Sequence, residues 1–470
     1  MPSNTTAEPY DLVILGAGSG GYAAALRAAQ LGMRVAMVER DLVGGTCLHR
    51  GCIPTKAILH AAEVADAARD GAQFGIHATV DRIDAAEVRA YSEQVVGRLH
   101  KGLNGLVNSR GIEVITGTGR LVPDGDGVGV EVDGQLINGE HIVLATGSYA
   151  RTVPDVEIDG VRVITSEHAL KLDALPASAI VLGGGVIGVE FASAWRSLGV
   201  EVTIVEALDR LVPAEDPEIS KVLSRAFRKR DIAAKLGSPV DRVTTTPDGV
   251  TVSVGGKDLT ADVLLVAVGR GPSTDDAGFA EAGVTLERGF VPTDERLRTN
   301  LDQVYAVGDI VPGLQLAHRG FAHGIFVAED IAYGRGLIDR APLPLRDVTI
   351  PRVTYCEPEI ASVGLTETQA RTEYGDAVET LTYDLGGNGK SQILRTQGFV
   401  KLVRQADGPV LGVHMIGARV GELVGEAQLI TGWDAHPEDV AGLVHAHPTQ
   451  NEALGEAHLA LAGKPLHVHG

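Results

Sequence analysis

Two of the three cysteines in this 470-residue chain lie close together, at Cys47 and Cys52. Paired thiols can exchange with a disulfide, bind a metal ion or form a structural cross-link. In a regular α-helix their Cα atoms would lie roughly 7.5 Å apart, whereas a disulfide needs about 4.4–6.8 Å. If the thiols pair, the segment between them must therefore be turned or distorted, and Gly51 favours such a turn.

The residues after the pair predict a helix that starts at Cys52. Pro54 suits the first turn of a helix, because its missing N–H would have no partner there, and a helix N-terminus favours a thiolate. Besides redox chemistry, the pair could be two inert buried thiols, half of a metal site or a structural disulfide. A metal site needs about four ligands, and a structural disulfide is more typical of a secreted chain. The third cysteine, Cys356, stands alone and is interpreted as an inert buried thiol.

A dinucleotide-binding unit precedes the cysteines. An apolar run at residues 10–15 predicts a buried parallel strand, which a helix and a second strand at residues 34–38 follow. Three glycines after the first strand would allow a tight turn, the approach of a pyrophosphate and close packing of the helix: Gly16, Gly18 and Gly21. Glu39 ends the second strand, where an acid binds ribose hydroxyls.

The same unit is repeated 167 positions later in the chain. The glycines of the second loop take the same three roles: Gly183, Gly185 and Gly188. Its acid is Glu206, which lies 167 positions after Glu39. Both acids suit a free ribose 2′-hydroxyl and disfavour a 2′-phosphate, so neither site is expected to bind NADP. The chain is therefore predicted to contain two dinucleotide sites.

Further strands are predicted around and after these units, at residues 111–119, 135–144, 250–254, 263–268 and 304–309. Asp309 ends the last of them, and ligand contact and helix capping remain equally open for it. Beyond residue 345 the pattern changes to β-rich pieces and two helices, at residues 353–355, 377–383, 398–404, 410–416, 420–432 and 451–462. We expect an α/β protein with two Rossmann-like dinucleotide-binding domains and an α+β C-terminal domain.

Composition excludes some classes of function. A net charge of −20 and a pI near 5.2 argue against binding to nucleic acid or to an anionic membrane. The apolar windows at residues 179–195 and 262–269 are too glycine-rich or too short to span a bilayer. Residues 1–9 carry no secretory pattern. We therefore expect no membrane association and a reducing compartment, the cytoplasm.

Six of the fifteen histidines lie between His436 and His469. His445 and His447 could supply two metal ligands, but no further cysteine or histidine pair accompanies them, so no metal is expected. A histidine with a nearby carboxylate is also what a thiol-handling general base requires. His447 and Glu452 offer such a combination.

The cysteine segment, the doubled dinucleotide unit and the His447-Pro448-Thr449 run together resemble the flavin-dependent pyridine nucleotide–disulfide oxidoreductases. The resemblance extends from residue 10 to beyond residue 452, and the Cys-Ile-Pro-Thr-Lys run resembles the branch that acts on lipoamide. The domains that it implies are an FAD-binding domain at residues 1–150, an NAD-binding domain at 151–270, a central segment completing the FAD site at 271–345 and a dimerisation domain at 346–470.

The resemblance also implies which residues bind the two cofactors. For FAD they are Gly16, Gly18, Gly21, Glu39, Gly45, Thr46, Lys56, Gly119, Thr146, Gly147, Ser148, Asp309, Gln315, Leu316, Ala317 and His318. For NAD they are Gly183, Gly185, Val186, Ile187, Gly188, Glu190, Glu206 and Gly269. Within the first set, Asp309 would hold the ribityl chain of the flavin.

Catalytic roles follow from the same resemblance. Cys52 would be the cysteine stacked on the flavin and Cys47 the one that exchanges with substrate. Lys56 and Glu190 would form a buried ion pair beside the reactive edge of the flavin.

His447, oriented by Glu452, would be the base. In a homodimer it would reach the disulfide of the other subunit.

The implied activity is oxidation of dihydrolipoamide, carried on the acyltransferase component of a 2-oxoacid dehydrogenase complex, with NAD⁺ as acceptor. The alternatives are an NAD(P)H-dependent reductase of another low-molecular-weight disulfide or quinone, and a structural flavoprotein subunit. Two departures from the family pattern affect fine positioning: Asn451 stands where Ser or Thr is usual, and residues 322–324 lack an expected acid.

Overall fold

The computed structural model describes residues 9–467. The expectation that residues 1–9 carry no secretory pattern falls almost entirely on residues 1–8, which lie outside the described part. Within it the chain forms two compact units. The first comprises residues 9–57, 87–151 and 270–347, and the second comprises residues 58–86, 152–269 and 348–467. The four-domain division implied by the resemblance remains a prediction.

The helices of the described residues are labelled α1 to α13 in chain order. They are Ser19–Gln30, Gly45–Arg50, Cys52–Asp70, Ala85–Ser109, Ser166–Ala169, Val186–Ser197, Pro217–Lys229, Ala317–Gly334, Glu367–Tyr374, Gly389–Leu394, Val420–Gly432, Pro437–Ala441 and Glu452–Leu461. Between residues 9 and 467, none of these helices has the length and apolarity needed to cross a membrane.

The strands are labelled β1 to β23 in the same way. They are Tyr10–Leu15, Val35–Glu39, Glu113–Thr116, Gly119–Asp124, Gly127–Val132, Gln135–Ile137, Gly139–Leu144, Ser148–Ala150, Val163–Thr165, Ser178–Leu182, Glu201–Val205, Ala233–Lys235, Val240–Thr246, Gly249–Val254, Lys257–Ala261, Val263–Val266, Arg270–Pro272, Val304–Ala306, Arg352–Thr354, Glu359–Gly364, Val378–Asp384, Phe399–Gln405 and Val410–Gly417.

Each compact unit contains one of the two predicted dinucleotide-binding repeats, built on a five-stranded parallel sheet. In the first unit the strand order is β18-β7-β1-β2-β3, and in the second it is β12-β11-β10-β16-β9. The register of the central strands is repeated: Leu12 pairs with Val35 in the first sheet, and Ala179 pairs with Val202, 167 positions later, in the second. The uninterrupted apolar runs of β1 and β10 are buried, as strands at the centre of a parallel sheet must be. The doubling predicted from the glycine loops is confirmed.

Two predicted strands are each divided in the structure, so the single-strand interpretation was wrong. Residues 135–144 form β6 and β7, because β6 pairs antiparallel with β5 whereas β7 joins the parallel sheet beside β1. Residues 111–119 contain β3, which lies in the parallel sheet, and the first residue of β4, which pairs with β5. The other predicted strands and helices are confirmed, with ends that shift by up to three residues.

The C-terminal part of the second unit is built on an antiparallel sheet with the order β19-β20-β23-β22-β21. Helices α11 and α13 pack against it and bury its apolar side chains. Val363, Leu402 and Val413 of the sheet meet Ile430 and Leu454 of the helices in this core. The predicted α+β character of this region is confirmed.

A buried lysine joins the C-terminal sheet to helix α7. Lys401, on β22, is 2% exposed, and its Nζ lies 3.1 Å from Asp216, 2.7 Å from Glu367 and 3.4 Å from Glu218. Asp216 caps α7 by accepting a hydrogen bond from the N–H of Glu218. Burial would raise the pKa of Asp216, but that N–H and the Lys401 ammonium outweigh it and lower the pKa. The Asp216 carboxylate therefore stabilises the fold at neutral pH, and this contribution is lost as the pH falls through its lowered pKa.

We predict that Lys401→Met lowers the free energy of unfolding by about 3–5 kcal/mol, because it leaves the Asp216 carboxylate buried without its partner. Urea denaturation measures the effect. Lys257→Met, which removes an exposed lysine from β15 of the same unit, is the matched control and is expected to change stability by less than about 0.5 kcal/mol. Equal stability of Lys401→Met and Lys257→Met would contradict the stabilising role of Lys401 beside Asp216.

Candidate active site

The cysteine segment is broken between its two thiols, as the spacing predicts. Helix α2 ends at Arg50, Gly51 adopts φ −145° and ψ −108°, and α3 begins at Cys52. Cys52 thus stands at a helix N-terminus and Pro54 lies in the first turn, which confirms both expectations. The segment begins close to the first glycine loop, where a Cβ added to Gly45 would lie 2.6 Å from the Cα of Gly18.

The two thiols are electrostatically unequal. A hydrogen bond to Cys52, followed by burial and the charge of Cys52, raises the pKa of the Cys47 thiol, while the Lys56 ammonium opposes the shift. The raised pKa favours a protonated thiol at Cys47, whereas the helix N-terminus favours a thiolate at Cys52. Tyr22 of α1 lies near both cysteines. Burial and the charges of Cys47 and Cys52 raise its pKa to about 12, so its hydroxyl stays protonated.

Helix α4 supports the cysteine segment at two points. The Ser92 hydroxyl donates to the carbonyl of Pro54 over 3.4 Å. The ring of His100 packs edge to face on His49, with ring centroids 4.7 Å apart, and Nε2 of His49 lies 3.0 Å from the carbonyl oxygen of Val43. These contacts fix the backbone on both sides of the helix break.

The first glycine loop and its acid form a closed local arrangement. Gly16 has φ +104°, and a Cβ on Gly21 would overlap the carbonyl oxygen of Gly16, so neither position accepts a side chain. Glu39 accepts hydrogen bonds from the N–H groups of Ala17, at 2.7 Å, and Asp41, at 2.9 Å. The acid is thereby held at the mouth of the loop.

The second loop repeats this arrangement. Gly183 has φ +112°, and a Cβ on Gly188 would overlap its carbonyl oxygen. Glu206 accepts from the N–H groups of Gly184, at 2.5 Å, and Leu208, at 2.7 Å. Each of these contacts lies 167 positions after its counterpart, so the two sites are equivalent in geometry as well as in sequence.

Both loops fit a dinucleotide pyrophosphate. Gly18 and Gly185 are the N-caps of α1 and α6, and neither helix has a side-chain cap, so its first-turn N–H groups can bind an anion. A Cβ at Gly18 or Gly185 would meet nothing within 4 Å, which leaves the approach open. Val186 and Ile187 begin α6 directly beside this point. The residues present therefore fit one dinucleotide in each unit.

A polar cluster in the first unit gathers several of the predicted FAD ligands. The Ser148 hydroxyl donates to Asp309 at 2.5 Å, and Arg270 donates to the hydroxyl of Ser148 at 2.8 Å and to its carbonyl at 2.6 Å. The Thr146 hydroxyl donates to the carbonyl of Ser273 at 2.6 Å, across the turn that contains Gly147. The sequence analysis did not identify Arg270, which directly follows the predicted NAD ligand Gly269 in the chain.

Asp309 is not a helix cap. It lies inside the 3₁₀ turn Gly308–Ile310, whose N-cap is Val307, and the amide of Gln315 donates to its carbonyl at 3.3 Å. Leu316, Ala317 and His318 then begin α8, with Leu316 as the N-cap.

Gly119 differs from the other predicted FAD ligands. It begins β4, and a Cβ there would press on the side chains of Leu15 and Val38, at 2.6 and 2.7 Å. Gly119 therefore packs against the ends of β1 and β2.

The missing acid at residues 322–324 has a packing explanation. A Cβ on Gly324 would overlap the carbonyl oxygen of Gly20, so α1 and α8 can cross closely only without a side chain here. His323 is 2% exposed, and its Nδ1 accepts from the N–H of Gly308 at 3.3 Å. Burial and the charge of Arg319 lower the pKa of His323 to about 4, so a neutral ring supports the Asp309 turn.

Glu190 and Lys56, the predicted ion pair, lie in different compact units. Lys56 lies one helical turn after Cys52 on α3. Glu190 lies on α6, is 3% exposed and accepts from the N–H of Tyr355 at 2.9 Å. Their pairing remains a prediction, as does the ligand role of Gly269.

The predicted base belongs to the loop before α13. Nδ1 of His447 lies 2.8 Å from Glu452, which also accepts from the N–H of Thr449 at 2.8 Å. The His447 side chain is 78% exposed, so the imidazole is accessible while its Nδ1 is fixed. Burial would raise the pKa of Glu452, but the Thr449 N–H and His447 together outweigh it, lower the pKa and keep the carboxyl ionised.

Cys356, interpreted as inert, is 1% exposed and its thiol donates to the carbonyl of Pro358. Burial first, and then the charges of Glu190 and Glu357, raise the pKa of this thiol well above the ordinary value. It is therefore unreactive as a nucleophile. Among residues 9–467 no three His, Cys, Asp or Glu side chains are grouped to hold a metal ion.

Comparison with known proteins gives the same assignment throughout the chain. Dihydrolipoyl dehydrogenases from Bacillus subtilis and from Pisum sativum mitochondria are 40% and 36% identical to it, covering 98% and 97% of this chain and 100% and 92% of the relatives. Among solved structures, LpdA from Mycobacterium tuberculosis has a TM-score of 0.88 at 27% identity, covering 96% of this chain and 99% of that one. RclA from Escherichia coli, a HOCl-induced flavoprotein disulfide reductase, has a TM-score of 0.83 at 27% identity, with the same coverage.

Family models match both parts of the chain. Residues 10–324 match the pyridine nucleotide-disulphide oxidoreductase model, and residues 350–458 match the dimerisation domain of the same family. The chain is therefore a member of the pyridine nucleotide–disulphide oxidoreductase family.

Proposed function

We propose that the protein is a dihydrolipoyl dehydrogenase, which oxidises protein-bound dihydrolipoamide to lipoamide with NAD⁺ as acceptor. The observation that carries the proposal is the cysteine pair: two thiols on either side of a helix break, with Cys52 at the N-terminus of α3. The relatives named dihydrolipoyl dehydrogenase, which align over nearly the whole chain, support the same substrate.

The first glycine loop and the cluster around Asp309 are proposed to bind FAD, and the second loop with Glu206 to bind NAD. When bound, FAD accepts an electron pair from the dithiol and passes it on to NAD⁺ as hydride. Arg270 would support Asp309 through Ser148. Lys56 and Glu190 are proposed to pair beside the flavin.

The thiol chemistry belongs to the chain's own residues. His447 takes the proton from one thiol of dihydrolipoamide, and the resulting thiolate attacks the sulfur of Cys47. The Cys47–Cys52 bond breaks, and Cys52 leaves as a thiolate, the form that a helix N-terminus favours. The second substrate thiol then attacks the substrate sulfur of the mixed disulfide and gives its proton to the departing Cys47, which closes lipoamide and releases Cys47 as a thiol. Two electrons and two protons leave the substrate in total.

The active site is proposed to be shared between the subunits of a homodimer, with His447 of one chain serving the cysteines of the other. The exposure of His447 and the match to a dimerisation domain support this arrangement. The substrate dithiol would be presented by an acyltransferase component.

We predict that Cys47→Ser lowers NADH production from dihydrolipoamide and NAD⁺ by more than about 1000-fold, because serine cannot form the disulfide. Steady-state absorbance of NADH measures turnover, and flavin absorbance verifies that the variant binds FAD. Cys356→Ala, which removes the buried thiol, is the control and is expected to keep wild-type turnover. Turnover that survives Cys47→Ser would sink the mechanism. If the flavin-loaded wild type reduces another disulfide or a quinone but does not oxidise dihydrolipoamide, the result would instead favour an NAD(P)H-dependent reductase.

We further predict that Glu206→Gln raises kcat/KM for NADP⁺ relative to NAD⁺ by about tenfold, or about 1.4 kcal/mol. The carboxylate repels a 2′-phosphate, whereas the amide is uncharged and can still accept from the N–H of Gly184. Glu201→Gln, at the exposed first position of β11, the strand that Glu206 directly follows, is the control. An unchanged ratio of the two cofactors in Glu206→Gln would remove Glu206 from the NAD site.

A further inference from the structure

The loop that carries His447 is held at both ends by one carboxylate. Glu426, a half-buried residue of α11, lies 2.8 Å from Nε2 of His445 through its Oε1. Its Oε2 accepts a hydrogen bond from the side-chain amide of Asn451. His445 precedes His447 by two residues, and Asn451 directly precedes Glu452. Glu426 therefore connects the start and the end of the segment that contains the proposed base.

Further hydrogen bonds fix the interior of the loop. The hydroxyl of Thr449 donates to the carbonyl of Ala446 at 2.7 Å, and its N–H donates to Glu452 at 2.8 Å. The amide of Asn388 donates to the carbonyl of Thr449 at 3.0 Å. The middle of the loop is thus anchored by Asn388, and its two ends are anchored by Glu426.

We propose that Glu426 is a positioning residue, which directs His447 by clamping His445 and Asn451. This inference rests on the proposed function, in which His447 deprotonates the substrate thiol. It also gives a role to Asn451, which stands where the family usually has Ser or Thr. The Asn451 side chain reaches Glu426 and does not cap α13.

The charges around the clamp favour its ionised form. The hydrogen bond to Glu426 raises the pKa of His445, and the same bond lowers the pKa of Glu426. From α13, Glu452 adds to the shift of His445, whereas burial lowers the pKa of His458 to about 4 and leaves that ring neutral. The ion pair contributes at pH values between the two pKa values: it is lost as the pH rises through the raised pKa of His445 and as the pH falls through the lowered pKa of Glu426.

The test compares two reactions of the FAD-loaded protein. Oxidation of dihydrolipoamide by NAD⁺ needs the base, whereas oxidation of NADH by ferricyanide takes electrons from the reduced flavin and needs no thiol base. We expect Glu426→Gln to lower kcat/KM for dihydrolipoamide by about 10- to 100-fold, since a misplacement near 1 Å costs about that much. The ferricyanide rate should stay at the wild-type value. Glu422→Gln, an exposed position one turn earlier on α11, should leave both rates unchanged.

A second substitution provides a rescue. In Glu426→Gln the new amide can accept from His445 but presents its NH₂ to the NH₂ of Asn451. Adding Asn451→Asp supplies a carboxylate for that NH₂, so the double variant should recover at least about tenfold of the lost kcat/KM. Failure of the rescue, equal loss of the ferricyanide rate, or wild-type kcat/KM in Glu426→Gln would each overturn the clamp. A wild type that is inactive with dihydrolipoamide but active with ferricyanide would instead overturn the proposed function, and the clamp with it.

Discussion

Two thiols five positions apart can form a disulfide only where the helix between them is interrupted, and this constraint organises the active site. Gly51 supplies the break, which places Cys52 at the start of α3 and leaves Cys47 on α2. The break also distinguishes the thiols chemically, because the helix N-terminus favours a thiolate at Cys52 while the pKa of Cys47 is raised. Attack at one sulfur and departure of the other follow from this asymmetry.

The remaining architecture repeats one arrangement, which fits a dinucleotide in each unit. In each unit an acid at the end of a strand accepts two backbone N–H groups, and a glycine loop leaves the next helix N-terminus open. The repetition extends from the glycine loop to the strand register, so the two units share the same local structure as well as the same sequence motif. Within the second unit, the buried Lys401 then joins the N-terminus of helix α7 to the C-terminal sheet that also supports the base.

Features that depend on local backbone geometry could be predicted from the sequence, and features that depend on distant packing could not. The turn at Gly16 and the helix start at Cys52 need only their neighbours in the chain. Glu426 lies 25 positions before Asn451, and Arg270 lies 122 positions after Ser148, so no local pattern connects them. The same reason explains the divided strand at residues 135–144, since its two parts are separated by the partners that they pair with and not by their own composition.

The central claim is that Cys47 and Cys52 form a disulfide that dihydrolipoamide opens. Trypsin cleaves after Arg50, between the two cysteines, so peptides 41–50 and 51–56 remain joined only if the disulfide exists. Mass spectrometry of the oxidised, alkylated protein should find these peptides linked, and one equivalent of dihydrolipoamide without oxygen should release them with both cysteines alkylated. Two separately alkylated peptides before any reductant is added, or a linked pair that dihydrolipoamide leaves intact, would contradict the account.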